Sequence, residues 1–462
     1  MTLIKQDFSK EEILQSGIYY AIGGVLASCI ALVSSLYVVH SLSLYEYGVF
    51  RLILSLTGLF DVLQFSGLND VARNDVAIAL KSQDEKSAAK IFFEFVWLKF
   101  VLMLFAWGAF FAFVSFFLGN FYDKNLAEIL QLASLFILFQ ALNDVLVMFL
   151  GAVGALKTIS KTTPFFEAIN LFFTVGVFMI FLPSVHSIVL ASVLMQTVTL
   201  SIYCMLVQKD VRRLWSFYRF ERPTTIIYII KTYGKWSVFS NLLGDFLSNA
   251  RNYIIKFLLS TEAVAVYSIA ASFYLYLSLL FPVQKVLANF LPYKITDHDI
   301  KKDYFTLGVR YSTFIYICLM LVGVVGVTGL IWFVIPKYAA SLPIFYAMLF
   351  SLPMLGIQYF SQIYLYTLRQ QRIIFMRMLL KNISAVVLLF TLVPLFGQIA
   401  LGIENVLTNI LLTTLVYVML VRMHPELKLE LSSFVVRKSD VIFLKILIFK
   451  AFKFHSPKST PS

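Results

Sequence analysis

Twelve apolar runs separated by short polar connections confine this chain to the interior of a lipid bilayer. They lie near 17–39, 47–72, 91–118, 128–150, 164–183, 185–207, 236–259, 264–291, 309–334, 343–367, 373–396 and 400–421. A helix needs roughly 20 apolar residues to cross about 30 Å of hydrocarbon, and each run is long enough. The third and eighth exceed the bilayer and are expected to tilt or to begin as interfacial helix. Only 14% of the residues are charged, where a soluble domain carries about a quarter.

The connections set the orientation. Of the 38 Lys and Arg residues, 28 fall in one alternating set of connections together with the two ends of the chain. The other set holds only Lys124 and Lys337. Positive charge collects on the cytoplasmic side, so twelve spans with both termini in the cytoplasm are expected. The net charge of +13 therefore belongs to loops, which argues against a nucleic-acid partner. Cys29, Cys204 and Cys318 all lie inside apolar runs, so neither a disulfide framework nor zinc spacing is present. No cofactor or metal is expected. The N-terminus runs polar through Gln15 into a full-length span and does not read as a removable signal peptide.

The two halves echo each other. Segment 42–55 aligns with 259–272 at a shift of 217, matching Leu42, Ser43, Val49 and Ser55 to identical residues. Lys157, Asn170 and Pro183 align with Arg369, Asn382 and Pro394 at shifts of 211 or 212. Six spans per half is an even number, so both halves enter the membrane in the same sense. That is a parallel repeat, an arrangement used by alternating-access transporters. The expected organisation is a cytoplasmic N-terminus (1–16), a six-helix lobe (17–207), a basic cytoplasmic linker (208–235), a second six-helix lobe (236–421) and a basic tail (422–462). The tail reads equally as loose chain or, over 438–454, as an amphipathic helix on the inner leaflet.

Ionisable residues inside spans are functional candidates, because they cost free energy in hydrocarbon. Arg51, Lys256, Lys285, Arg377, Glu94, Glu167 and Glu404 lie close enough to a span end to snorkel toward headgroups. Asp61, Lys99, Asp245, Arg251 and Lys381 are deeper, with Asp144 intermediate. Each deep charge either lines a cavity or joins an ion pair within its lobe. The seventh run carries Asn241, Asp245, Asn249, Asn252 and Lys256 at spacings of four, four, three and four, a polar stripe on one helical face. Such a stripe must face water or a partner helix. Thr57, Asp61 and Gln64 form a shorter stripe in the second run, which suits a cavity or interhelical bonding equally. Gly23, Gly24, Gly323 and Gly326 suit close helix packing, and Pro282 and Pro353 suit kinks. The five His residues show no metal-ligand spacing.

A family resemblance rests on "LSLYEYGVF" after the first span, "IPKYAASLPIFYAMLFSLP" between the ninth and tenth, and "LRQQRIIFMRMLLKNISAVVLLFTLVPLFGQIALGI". These segments resemble the polysaccharide-transport (Wzx-type O-antigen) branch of the MATE-like flippases of the MOP superfamily, over roughly 17–421. The resemblance implies an all-α fold of two six-helix lobes around a central cavity, in a bacterial inner membrane. It implies transport of undecaprenyl-pyrophosphate-linked oligosaccharide, such as an O-antigen unit of lipopolysaccharide, from the cytoplasmic to the external leaflet. Other polysaccharide-assembly membrane proteins are candidate partners. Under it, Arg51, Lys99, Asn241, Asn249, Arg251, Asn252 and Lys256 are candidates for the substrate cavity, and Asp61 and Asp245 for ion coupling. No catalytic residue is expected, since flipping leaves its substrate chemically unchanged, and no Walker A sequence is present. The alternatives are an ion-coupled multidrug exporter and a membrane glycosyltransferase or polymerase. The latter is disfavoured by the short outer connections.

Overall fold

A computed structural model describes residues 10–118, 124–219, 224–229, 235–280, 298–367 and 370–430. Among these residues every regular element is helical. The first half contains α1 (Lys10–Ser41), α2 (Leu44–Asp61, resumed at Gly67–Lys81), α3 (Glu85–Phe113), α4 (Lys124–Ala133 and Leu135–Ala152), α5 (Leu156–Ile180) and α6 (Val185–Trp215). The second contains α7 (Lys235–Leu258), α8 (Thr261–Leu279), α9 (His298–Val334), α10 (Ser341–Leu349 and Leu355–Thr367), α11 (Gln371–Phe396) and α12 (Ala400–Met423).

Over the described residues, each of the twelve apolar runs thus falls on a helix. Among the described residues, length and apolarity alone single out nine stretches, or ten when the two halves of α2 are joined. One of the nine, Arg372–Met423, contains both α11 and α12, which separate at Gly397 in the left-handed region (φ 60°). The remaining helix, α7, is outside that set, because its polar stripe dilutes its apolar face. Lys285, Pro282 and the tail segment 438–454 lie outside the described residues.

The repeat reappears in the capping and the packing. Ser43 and Ser260, aligned in sequence, are the N-caps of α2 and α8. Ser43 Oγ accepts from the Glu46 N–H, and the Glu46 carboxylate accepts from the Ser43 N–H at 3.0 Å. Ser260 Oγ accepts from the Ala263 N–H at 3.2 Å. Each closes donors that a helix start leaves open. The helix pairs correspond as well. α1 packs on α5 as α7 packs on α11, α5 on α6 as α11 on α12, and α4 on α6 as α10 on α12.

The halves meet along α2, which packs against α7 and α8. Glycine permits this closeness: a Cβ on Gly48 would sit 2.2 Å from the Thr261 carbonyl oxygen, and one on Gly58 would sit 2.4 Å from Asn249 Oδ1. At the end of the bundle opposite the basic connections, Lys337 Nζ donates to the carbonyls of His40 (2.9 Å) and Leu42. His40 Nδ1 lies 3.0 Å from the Val334 carbonyl. A cation on the last carbonyls of α1 also matches the negative end of that helix dipole.

α2 is not continuous. Its first part ends at Asp61, a 3-10 turn follows over Val62–Gln64, Phe65 takes a left-handed conformation (φ 51°), and the helix resumes with a 43° bend. α10 breaks at a second 3-10 turn, Leu352–Met354, where Pro353 cannot donate to the ladder.

Three charges that the sequence puts at span ends are instead inside the protein. Glu404 is fully buried, Glu94 is 2% exposed, and Arg377 is buried and donates to Gln362 Oε1 at 2.6 Å. The first turns of α12 are held inward by α10: a Cβ on Gly402 would lie 2.6 Å from the Ile344 carbonyl oxygen. The helix end that a hydropathy count assigns to the bilayer surface is covered by protein.

Candidate functional site

The polar stripe of α7 mainly grips α2. Asn252 Nδ2 donates to Ser55 Oγ at 2.7 Å, Asn249 packs on Gly58, and Ser66 Oγ in the α2 break donates to Asp245 Oδ2 at 2.7 Å. Tyr253 adds a bond from its hydroxyl to the Leu52 carbonyl at 2.9 Å. α2 and its break thus meet three of the five stripe residues and hydrogen-bond two of them, while the Asn249 amide donates to the Asp245 carbonyl of its own helix at 2.8 Å. Lys256, at its far end, is exposed and lines neither cavity described below. Asn241 is half-buried and also stands apart from both.

One face further round α7 is a cavity of about 480 Å³ walled by α7, α8, α11 and α12, with Arg51 contributed by α2. Asp245 and Asn252 sit at its edge, shared with the α2 contact. Arg251 is central. Its guanidinium donates to Glu404 Oε1 at 3.0 Å and to the Tyr267 hydroxyl at 2.8 Å. Thr408 Oγ1 donates to the same Glu404 oxygen at 3.1 Å. Glu404 Oε2 is buried with no hydrogen-bond donor among the described residues. Arg51 and Lys381 line the same cavity, and Arg51 Nε likewise lacks an acceptor among the described residues. Three cations therefore face two carboxylates, Glu404 held by Arg251 and Asp245 held by Ser66. Asn382, Asn405 and Asn409 supply amides. The site can hold an anion together with a hydroxyl-rich group.

Arg251 both pairs with Glu404 and lines the cavity. Its partner Glu404 falls near a span end in the sequence, so depth along the apolar run does not reveal the pairing. A signal does exist: Glu404 with Thr408 and Asn405 with Asn409 repeat at spacing four, the same periodicity as the α7 stripe.

The first half has its own cavity, of about 310 Å³, among α2, α4, α5 and α6. Asp61, Thr57, Gln140, Asn170, Ser192 and Gln196 provide its polar lining, and Asp61 is the one ionisable group among its described lining residues. Asn170 and Asn382, paired by the repeat, each line the cavity of their own half. Gln64 lies elsewhere, buried, with its amide donating to the Ile137 carbonyl at 2.9 Å. Behind the cavity, Asp144 accepts from Asn69 at 3.0 Å and Gln140 at 3.2 Å. Lys99 is 1% exposed and faces the charges of Asp144 and Asp61, with no hydrogen-bond acceptor for its Nζ among the described residues. It lines neither cavity. Its surroundings are those of an internal counter-ion.

Residues 41–335 match the family model described as "Polysaccharide biosynthesis protein". Among solved structures, an outward-facing multidrug resistance MATE family transporter of the MOP superfamily aligns with a TM-score of 0.68 at 12% identity, over 91% of this chain and 96% of that one. The MATE multidrug transporter DinF-BH aligns at 0.67 and 13% identity, over 93% and 100%. An inward-facing MATE family transporter aligns at 0.57 and 13% identity, over 87% and 97%. At these identities the likeness establishes the fold. No curated protein matches the sequence.

Proposed function

The chain belongs to the polysaccharide biosynthesis protein family and carries the MATE transporter fold, and from these two premises we propose that it flips a lipid-linked oligosaccharide across the membrane. The cargo of this reading is an undecaprenyl-pyrophosphate-linked repeat unit of a surface polysaccharide such as O-antigen, moved from the cytoplasmic to the external leaflet of a bacterial inner membrane by alternating access.

The observation that carries it is the second-half cavity. It holds three cations, of which Arg251 alone has a carboxylate within hydrogen-bonding distance among the described residues, and these suit a phosphate-bearing cargo. The neighbouring asparagines suit sugar hydroxyls. No bond is made or broken in moving such a lipid, so the chain acts as a transporter and not as an enzyme. In a strain with a single such gene, deletion is expected to remove the surface polysaccharide while its lipid-linked unit accumulates on the cytoplasmic leaflet. Persistence of the polysaccharide, with increased sensitivity to cationic dyes, would instead establish drug export. That second reading has one observation in its favour, the first-half cavity whose only ionisable residue among the described lining is Asp61.

Orientation follows the charge census: the basic connections face the cytoplasm. A cysteine at Leu182, 87% exposed in the connection between α5 and α6, is expected to react with an impermeant thiol reagent in intact spheroplasts. One at Arg219, exposed just after α6, should react only once the membrane is opened. External labelling at 219 would reverse the assignment.

A further inference from the structure

Glu404 is the only carboxylate within hydrogen-bonding distance of the Arg251 guanidinium among the described residues. It reaches that position from the first turns of α12, fully buried, with Thr408 and Arg251 sharing Oε1. Its second oxygen has no donor among the described residues. A carboxylate built only to neutralise an arginine would be expected to use both oxygens, since the guanidinium fork matches two. Here one guanidinium nitrogen goes to Tyr267 instead, leaving the pair single-stranded. The pair forms one wall of the cavity that also holds Arg51 and Lys381. An arginine as deeply placed as Arg251, with its side chain 14% exposed, is costly to leave without an anion, so an empty cavity needs something in the place of cargo.

We propose that Glu404 is a built-in stand-in for the cargo's anion: it occupies Arg251 when the cavity is empty, and an incoming phosphate displaces it. This rests on the anionic-cargo reading above and adds to it a residue that sets affinity and the return of the empty carrier. The displaced carboxylate remains near a cation, because Lys381 lies within electrostatic reach of it. Displacement moves no covalent bond. One oxygen leaves the guanidinium and a phosphate oxygen replaces it. In the empty carrier the Arg251–Glu404 pair carries no net charge, which lets the cavity close without cargo.

The consequence runs against the usual effect of damaging a buried site. Glu404→Gln removes the competing charge while keeping shape and Thr408 contact, so anion affinity should rise. The expected gain is roughly tenfold or more, the factor one charge-assisted hydrogen bond corresponds to. Flipping by the same variant should slow, because its empty form leaves Arg251 uncompensated.

The test is binding of inorganic pyrophosphate and of farnesyl pyrophosphate to the purified full chain in nanodiscs, with melting temperature recorded alongside. Glu404→Asp, which draws the carboxylate back from Arg251 but keeps its charge, should give an intermediate gain and carries the comparison if the Gln variant does not reach the membrane. The double variant Arg251→Gln/Glu404→Gln should lose the gain. Tighter binding in the two single variants and none in the double would support the stand-in. Equal or weaker binding by folded Glu404→Gln and Glu404→Asp would overturn it while leaving the anionic cargo standing. Failure of wild type and both single variants to bind either probe would overturn the cargo reading and this inference together.

Discussion

Exchanging Arg251 for glutamate is expected to abolish flipping and to lower stability, whereas Arg251→Lys should retain part of both. In the wild type the guanidinium meets Glu404 Oε1 at 3.0 Å where Glu404 has no exposure to solvent. Breaking a buried pair by removing one partner costs about 3–5 kcal/mol. Reversing the charge adds a second carboxylate at the same place and turns the cavity against an anion. Lysine keeps the charge but loses the planar fork, so it can reach Glu404 or Tyr267 with less geometric definition. Flipping in proteoliposomes at matched protein content, with melting temperature beside it, separates the two contributions. Full transport by Arg251→Glu would remove Arg251 from the cargo site. Loss of protein from the membrane in Arg251→Lys, Arg251→Ala and Arg251→Glu alike would reduce it to a structural pair.

This residue also shows where sequence reasoning stops. The twelve helices are legible because hydrophobic length is a one-dimensional property, and the Ser43–Ser260 correspondence marks real N-caps. The α7 stripe is legible too, down to the requirement that something polar face it. What faces it is not. Asn249 and Asn252 meet Gly58 and Ser55 of α2, while Arg251, about 160° from Asn249 at roughly 100° per residue, turns to the cavity. Periodicity gives the angle between two residues but not which neighbour lies at either. Glu404 escapes for another reason. Depth counted from the end of an apolar run treats each helix as if it stood alone in lipid, yet α10 covers the start of α12. Lys256, by contrast, continues the stripe by spacing and still emerges exposed. It lies beyond the stretch where α2 and α7 exchange side-chain bonds.

Removal of the Lys99 amine is the second change expected to be severe, and it tests a different part of the molecule. Lys99 on α3 is 1% exposed and faces the charges of Asp61 on α2 and Asp144 on α4. Asp144 has amide donors from Asn69 and Gln140, whereas Asp61 Oδ1 has no donor among the described residues. Lys99→Met keeps much of the side-chain length and removes the cation whose charge acts on both carboxylates. The expected effect is read as a lower melting temperature and less protein in the membrane. A network emptied of charge is a different matter, since apolar replacements of similar volume are often neutral or stabilising. The double variant Lys99→Met/Asp144→Asn should therefore recover much of what the single change loses. Recovery of stability together with flipping would make Lys99 an internal counter-ion, as its absence from both cavity linings indicates. Recovery of stability without flipping would return Lys99 to the path of the cargo and require the first-half cavity to reach it during the transport cycle. A Lys99→Met protein as stable as wild type would show that Asp61 and Asp144 do not need the cation, and that the charges are shared in some other way within the lobe.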